Sequence, residues 1–135
     1  MSVITTKPKV MVVEDEEMLL QAIVKKLQVS GMDSITFESG KDAIEFLEKG
    51  TDIPNVIWLD YHLKDMDGLL FMTRLKDNKP LSSIPVIVVS NSAADEKVKN
   101  MLTLGAKKYL LKAEHRLDNI VGIVKDLALE ERQLS

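Results

Sequence analysis

The stretch VIWLDYHLKDMDG, residues 56–68, passes abruptly from apolar side chains to acidic ones. Its opening residues, 56–59, are β-branched, aromatic or large and aliphatic, which is typical of a strand buried on both faces. The run ends on a carboxylate at Asp60, and two more follow at Asp65 and Asp67. Loops after strands are often acidic, so the rest of the chain decides whether these carboxylates carry a function.

Four other short apolar segments predict strands, at residues 10–13, 34–37, 85–89 and 109–111. Between them, and after the last, apolar residues recur every three or four positions, which indicates amphipathic helices. The first stripe contains Met18, Ala22, Ile23 and Leu27, and the last and clearest contains Leu117, Ile120, Val121, Val124 and Leu127. Three glycines stand just past helical stretches, where C-terminal caps are expected, namely Gly31, Gly50 and Gly105.

The alternation of strand and helix, repeated five times, decides the fold class. Nearly continuous apolar strands separated by helices predict a parallel sheet covered on both faces, hence a doubly wound α/β fold. Right-handed crossovers leave few arrangements of five strands, and the order 2-1-3-4-5 is the one expected at this length.

Composition restricts the classes of function. The chain has 135 residues, 45% hydrophobic and 29% charged, as in one soluble globular domain. With 18 basic and 21 acidic residues the net charge is −3, so no basic face favours nucleic acid or a membrane surface. The chain contains no cysteine, which excludes disulfides and thiolate metal sites and suits a cytoplasmic protein. No apolar run approaches the roughly 20 residues that span a bilayer.

Polar residues follow four of the five predicted strands. Glu14 and Asp15 follow the first strand, Asp60 the third, Ser90 the fourth and Lys112 the fifth. Doubly wound sheets bind ligands beyond the carboxyl ends of their strands, at the switch point between strands 1 and 3 in this topology. Three carboxylates gathered there would repel one another, which predicts a hard divalent cation with oxygen ligands, and Mg²⁺ is the natural choice.

The remaining groups suggest phosphoryl chemistry. An ammonium at Lys112 and a hydroxyl at Ser90 suit phosphoryl oxygens, and an aspartate in this setting can form an aspartyl phosphate. Each residue alone has an ordinary explanation, such as a solvated lysine, a capping serine or, for Glu16 and Glu17, favourable charge at a helix N-terminus. The prediction rests on their joint occurrence.

With these positions in view, and with LDYHLKDMDG around Asp60, the chain resembles the receiver domain of two-component response regulators, including the chemotaxis regulators. The resemblance implies a flavodoxin-like (βα)5 fold over residues 9–129, with an N-terminal extension at 1–8 and a C-terminal tail at 130–135. It implies a phosphorylatable signalling domain that catalyses only its own phosphorylation and slow dephosphorylation, and a partner that is a sensor histidine kinase or a histidine phosphotransfer protein.

The resemblance also implies a role for each site residue. Asp60 matches the phosphoacceptor. Asp15 matches a direct Mg²⁺ ligand and Glu14 a ligand acting through water, while His62 would lend its backbone carbonyl to the metal. Its imidazole, on an exposed loop, is more simply explained without a metal.

The switch residues follow in the same way. Ser90 matches the hydroxyl that follows the phosphoryl group, Lys112 the lysine that pairs with it, and Tyr109 the aromatic that turns inward on activation. The face made by helix 4, strand 5 and helix 5 would then bind a downstream protein or a second phosphorylated copy. A receiver of this size leaves no room for an output domain, so the chain should act by binding or be a piece of a longer protein.

The chain departs from the family at three positions. Ala113 follows Lys112 where the family usually has a proline joined by a cis bond, and a cis bond to alanine would cost roughly 2.5 to 4 kcal/mol. Either that strain is retained or the loop after strand 5 runs differently. Lys64 stands where proline is frequent, and Asn91 where a small residue is common.

Three alternative functions stay open in principle. One is a receiver-like binding module that has lost phosphorylation. Another is a phosphatase with an aspartyl nucleophile, which would require a second aspartate where this chain has His62. Flavin or nucleotide binding is disfavoured because the turn after strand 1, VVEDEE, has no glycine-rich phosphate cradle.

Overall fold

The computed structural model describes residues 7–92 and 94–134. Strands and helices alternate along the chain in the order β1 (Lys9–Val13), α1 (Glu17–Val29), β2 (Asp33–Phe37), α2 (Gly40–Glu48), β3 (Val56–Asp60), α3 (Gly68–Asp77), β4 (Val86–Ser90), α4 (Asp95–Thr103), β5 (Lys108–Leu111) and α5 (Leu117–Leu134). A short 3₁₀ helix, Lys79–Leu81, precedes β4. Most of the predicted extension at residues 1–8, and the last residue of the predicted tail, lie outside the described residues.

The five strands form one parallel sheet in the order β2-β1-β3-β4-β5, which confirms the predicted fold class and strand order. The register aligns the carboxyl ends of the strands. Asp60 at the end of β3 lies opposite Val89, and Ser90 at the end of β4 lies opposite Leu111. Polar residues that terminate separate strands therefore share one edge of the sheet.

Alternate residues of the strands pack into two cores, one on each face of the sheet. Met11 and Val13 face the core that includes buried residues of α2, α3 and α4. Val12 and Trp58 face the core that includes buried residues of α1 and α5, where Trp58 is 1% exposed. Because both faces are covered at the centre of the sheet, the inner strands β1, β3 and β4 are apolar at nearly every position, whereas the edge strands β2 and β5 are more exposed.

Glycines with positive φ follow three of the helices in the predicted way: Gly31 after α1, Gly50 (φ 69°) after α2 and Gly105 after α4. At the end of α1, Gly31 has φ 85°, and the amides of Gly31 and Met32 bond to the carbonyls of Gln28 and Leu27 at 3.1 and 2.9 Å. Those two bonds form a Schellman motif, in which a left-handed residue closes the helix. Gly105, with φ 105°, ends α4 with the same pair of bonds.

The buried face of α1 differs from the stripe read in the sequence. Leu20, Ile23 and Leu27 are buried, whereas Met18 is 82% exposed and Ala22 is exposed. The spacing was correct, but the helix is rotated so that Leu20, not Met18, faces the sheet.

Among the described residues no helix has both the length and the apolar character needed to cross a membrane.

Candidate functional site

Three carboxylates meet where β1 and β3 end. Oxygen atoms of Glu14, Asp15 and Asp60 all lie within 4.8 Å of one another. Glu14 is 1% exposed and Asp60 is 6% exposed, while Asp15 is half-buried. The amide of Glu14 bonds to the Phe37 carbonyl at 3.0 Å, so the chain is still hydrogen-bonded to β2 just after β1 ends. Glu14 and Asp15 lie beside Asp60 at this point.

Lys112 reaches this acidic cluster from the end of β5. Its Nζ donates to Glu14 Oε1 at 3.2 Å and to Asp60 Oδ2 at 3.4 Å. The described residues contain no cis peptide bond, so the bond from Lys112 to Ala113 is trans. Of the two sequence-based alternatives, the loop therefore runs without a cis bond, and the lysine still reaches both carboxylates.

The electrostatics of the cluster favour added positive charge. Burial, and next the charge of Glu14, raise the pKa of Asp60 from 3.8 to about 7, although Lys112 and the His62 amide act in the opposite direction. Burial lowers the pKa of Lys112, but Asp60 and Glu14 outweigh it and raise that pKa above its ordinary value, so the ammonium persists. One ammonium beside three carboxylates leaves the pocket negative when all are ionised, which suits a divalent cation.

The backbone of His62 contacts Asp60, whereas its imidazole ring contacts Lys97. Its amide donates to Asp60 Oδ1 at 3.2 Å. The exposed imidazole places Nε2 at 3.3 Å from Lys97 Nζ, and the same ammonium is 5.2 Å from the centroid of the Tyr61 ring. The acidic cluster found among the described residues includes no imidazole.

Ser90 and Tyr109 are joined through one intermediate residue. The fully buried Ser90 hydroxyl accepts a hydrogen bond from the Ser92 amide at 3.0 Å. The Tyr109 hydroxyl donates to the Ser92 carbonyl at 2.9 Å, and its half-buried ring lies 6.4 Å from the ring of Tyr61. The segment after β4 is thus bonded both to the end of its own strand and to β5.

A family model described as the response regulator receiver domain matches residues 10–125. The chain belongs to the response-regulator receiver family. A two-component response regulator of rice, ORR3 (Oryza sativa subsp. indica), is 29% identical over 106 residues, which is 78% of this receiver and 80% of the relative. The phosphorylated cyanobacterial phytochrome response regulator RcpA has a TM-score of 0.77 at 26% identity, with 96% of each chain covered. The Mn²⁺-bound response regulator Rcp1 has a TM-score of 0.76 at 26% identity, with 89% of this chain and 91% of that one covered.

The family identified from the sequence is therefore confirmed. Receiver domains are signalling domains, not classical enzymes, and they interact with histidine kinases or phosphotransfer proteins. The fold of this receiver domain brings together Glu14, Asp15, Asp60 and Lys112, which the resemblance selected at the ends of β1, β3 and β5.

The other two acids of the opening stretch have a different use in this receiver domain. Asp67 accepts a hydrogen bond from the Leu70 amide at 2.9 Å and caps α3. Asp65 accepts from the amides of Gly40 and Lys41, at 3.0 and 2.9 Å, at the start of α2. An aspartate before a glycine and an apolar run is a recognisable cap, so the role of Asp67 could have been predicted. The role of Asp65 could not, because its partners lie 25 and 24 residues earlier.

Proposed function

We propose that this receiver domain is a phosphorylatable switch in which Asp60 accepts a phosphoryl group from a phosphohistidine. The donor is a sensor histidine kinase or a histidine phosphotransfer protein. The observation that carries the proposal is the convergence of three carboxylates and Lys112 at one edge of the sheet. The buried negative charge at this edge is only partly neutralised, which favours binding of a cation and then of a phosphoryl group.

The donor set fits Mg²⁺. Oxygen atoms of the three carboxylates lie within 4.8 Å of one another, near enough for one divalent cation with oxygen ligands to be shared among them. Asp15 and Asp60 would hold the cation directly, and the His62 carbonyl would supply a further oxygen. Glu14, as the family resemblance implies, would act through water. When bound, the cation holds Asp60 ionised and neutralises charge on the phosphoryl oxygens. The related Rcp1 is known with Mn²⁺, which shares this preference for oxygen ligands.

The protein groups position the reacting atoms. An Asp60 oxygen attacks phosphorus, and the new O–P bond forms as the N–P bond to the donor imidazole breaks. The Lys112 ammonium, 3.4 Å from Asp60 Oδ2, pairs with a phosphoryl oxygen, and the Ser90 hydroxyl donates to another. The domain supplies positioning and electrostatic stabilisation, as in other phosphoryl transfers, and it returns the phosphoryl group to water slowly.

The phosphorylated site acts on Tyr109 of β5 through Ser92. A phosphoryl group that attracts the Ser90 hydroxyl changes the bond between Ser90 and the Ser92 amide, and Tyr109 is bonded to the Ser92 carbonyl. The face made by α4, β5 and α5 thereby changes its affinity for a downstream protein or a second phosphorylated copy. We place this signalling in the cytoplasm, with no direct nucleic-acid or membrane contact.

The proposal is tested by treating the protein with Mg²⁺ and a small acyl-phosphate donor and recording its intact mass and elution volume. We expect a mass gain of one phosphoryl group that is absent in Asp60→Asn and in samples with a chelator. Asp67→Asn is the matched control, because Asp67 is exposed and asparagine is an equally good helix cap. A wild-type protein that gains no phosphoryl group would favour the alternative of a non-phosphorylated receiver-like binding module.

A further inference from the structure

The loop between β3 and α3, residues 61–67, is held at several points although it follows the phosphoacceptor directly. The Gly68 amide bonds to the Tyr61 carbonyl at 2.7 Å, and the Leu63 amide bonds to the Met66 carbonyl at 3.2 Å. These bonds fold the β3–α3 loop upon itself. They do not fix where the folded loop lies relative to the rest of the sheet edge, which requires a contact to another element.

Asp65 provides that contact. Its carboxylate accepts from the Gly40 amide at 3.0 Å and from the Lys41 amide at 2.9 Å. Amides in the first turn of a helix have no carbonyl partner within the helix, and a carboxylate there is favoured by the helix dipole. The next amide of α2, that of Asp42, is capped separately by the Ser39 hydroxyl at 3.1 Å. The start of α2 is therefore completed partly by its own cap and partly by the β3–α3 loop.

The packing around this contact is close. A methyl group added at Gly40 would lie 2.6 Å from Met66 Sδ, so the backbone of α2 and the side chain next to Asp65 leave no free space between them. Met66 is also buried in the core on this face. The loop is thus docked on α2 by one ionic cap and one apolar contact.

We propose that Asp65 is a positioning residue of the phosphorylation site, which fixes the β3–α3 loop, and with it the His62 backbone, against the N-terminus of α2. The His62 amide already bonds to Asp60 at 3.2 Å, and its carbonyl is the metal ligand of the proposed function, on which this inference rests. Because coupling between two sites is reciprocal, metal binding at Asp60 stabilises the bonds from Asp65 to α2.

The test compares two substitutions that remove caps from the same helix end. Asp65→Ala removes the hydrogen bonds that join the loop to α2, whereas Ser39→Ala removes the Asp42 cap and leaves those bonds in place. Residues that orient metal ligands typically change metal affinity by 10- to 100-fold, and for an exposed carboxylate we expect about tenfold weaker Mg²⁺ binding in Asp65→Ala. Ser39→Ala should bind Mg²⁺ within about twofold of the wild-type protein. Calorimetry or amide chemical shifts give both constants.

Hydrogen exchange supplies a second measurement that a merely structural role would not affect. Mg²⁺ should slow exchange of the Gly40 and Lys41 amides in the wild-type protein and have no such effect in Asp65→Ala. Equal losses of Mg²⁺ affinity in the two variants, or unchanged affinity in Asp65→Ala, would overturn the inference while leaving the proposed function intact. A wild-type protein that binds no Mg²⁺ would overturn both.

Discussion

Replacing Asp60 by asparagine should stabilise the metal-free protein at neutral and alkaline pH. Burial and the charge of Glu14 raise the pKa of Asp60 in the folded protein from 3.8 to about 7. Between these two pH values the folded protein retains a proton that the unfolded chain has released, so the free energy of unfolding falls as pH rises. The favourable contribution of Asp60 is complete below about pH 4 and lost above about pH 7. Asparagine does not ionise, so Asp60→Asn avoids this loss.

The magnitude follows from the size of the shift. A change in the pKa of Asp60 from 3.8 to about 7 spans about 3 pH units, and each unit corresponds to about 1.4 kcal/mol, so the ionised carboxylate costs at most about 4 kcal/mol. That is a large share of the roughly 5–15 kcal/mol by which domains of this kind are stable. The Lys112 ammonium is already included in this balance, because it lowers the pKa of Asp60.

Urea unfolding in the presence of a chelator, repeated from pH 5 to pH 8, measures the difference. We expect Asp60→Asn to be more stable than the wild-type protein by about 1.5 kcal/mol at pH 5, where the unfolded chain has already released the Asp60 proton, and by about 4 kcal/mol at pH 8. Asp67→Asn, which alters an exposed cap, should track the wild-type protein throughout. A difference that stays constant with pH, or a wild-type protein that is the more stable one at pH 8 without metal, would refute the reasoning.

Three further changes have defined outcomes. Millimolar Mg²⁺ should raise the free energy of unfolding of the wild-type protein by RT ln(1 + [Mg²⁺]/Kd) and leave Asp60→Asn nearly unchanged, as urea unfolding at several Mg²⁺ concentrations would reveal. Lys112→Met should slow phosphorylation by an acyl phosphate about a hundredfold and shift its pH profile upward, since the ammonium lowers the pKa of Asp60. Tyr109→Phe, which loses the bond to the Ser92 carbonyl, should cost about 1 kcal/mol in urea unfolding, and a value near zero would mean that this bond does not hold the segment after β4.

The sequence was sufficient to predict the sheet because its inner strands β1, β3 and β4 are nearly continuous apolar runs. Each boundary of the five predicted strands lies within one residue of the observed boundary, and the expected order, one of the few that the crossover rule leaves, is the order observed. A different rule indicated the candidate site: ligands bind beyond the carboxyl ends of parallel strands, and the residues that end those strands share one edge of the sheet. The position of Asp60, Glu14 and Lys112 at that common edge was enough to predict that they lie close together.

Features that depend on rotation or on distant partners were not predictable. The spacing of apolar residues in α1 is compatible with more than one buried face, and only packing against the sheet exposes Met18 and buries Leu20. Lys97 reads as an ordinary surface lysine, yet α4 carries it to His62 and over the ring of Tyr61. Asp65 gives no local sign that it caps a helix that the chain completed before β3.

The opening stretch therefore combines two uses of a carboxylate that differ in what neutralises the charge. Asp67 and Asp65 receive backbone amides at helix N-termini; in Asp65 the amides of Lys41 and Gly40 outweigh the effect of burial and hold the pKa below its usual value. Asp60 is buried beside Glu14 and receives one backbone amide and a shared ammonium, which are too little to offset its desolvation. A carboxylate left in that state costs stability in the resting protein. Binding of a cation, or of a phosphoryl group with its counter-charge, removes this cost. The free energy released in this way is available to shift the positions of the surrounding residues.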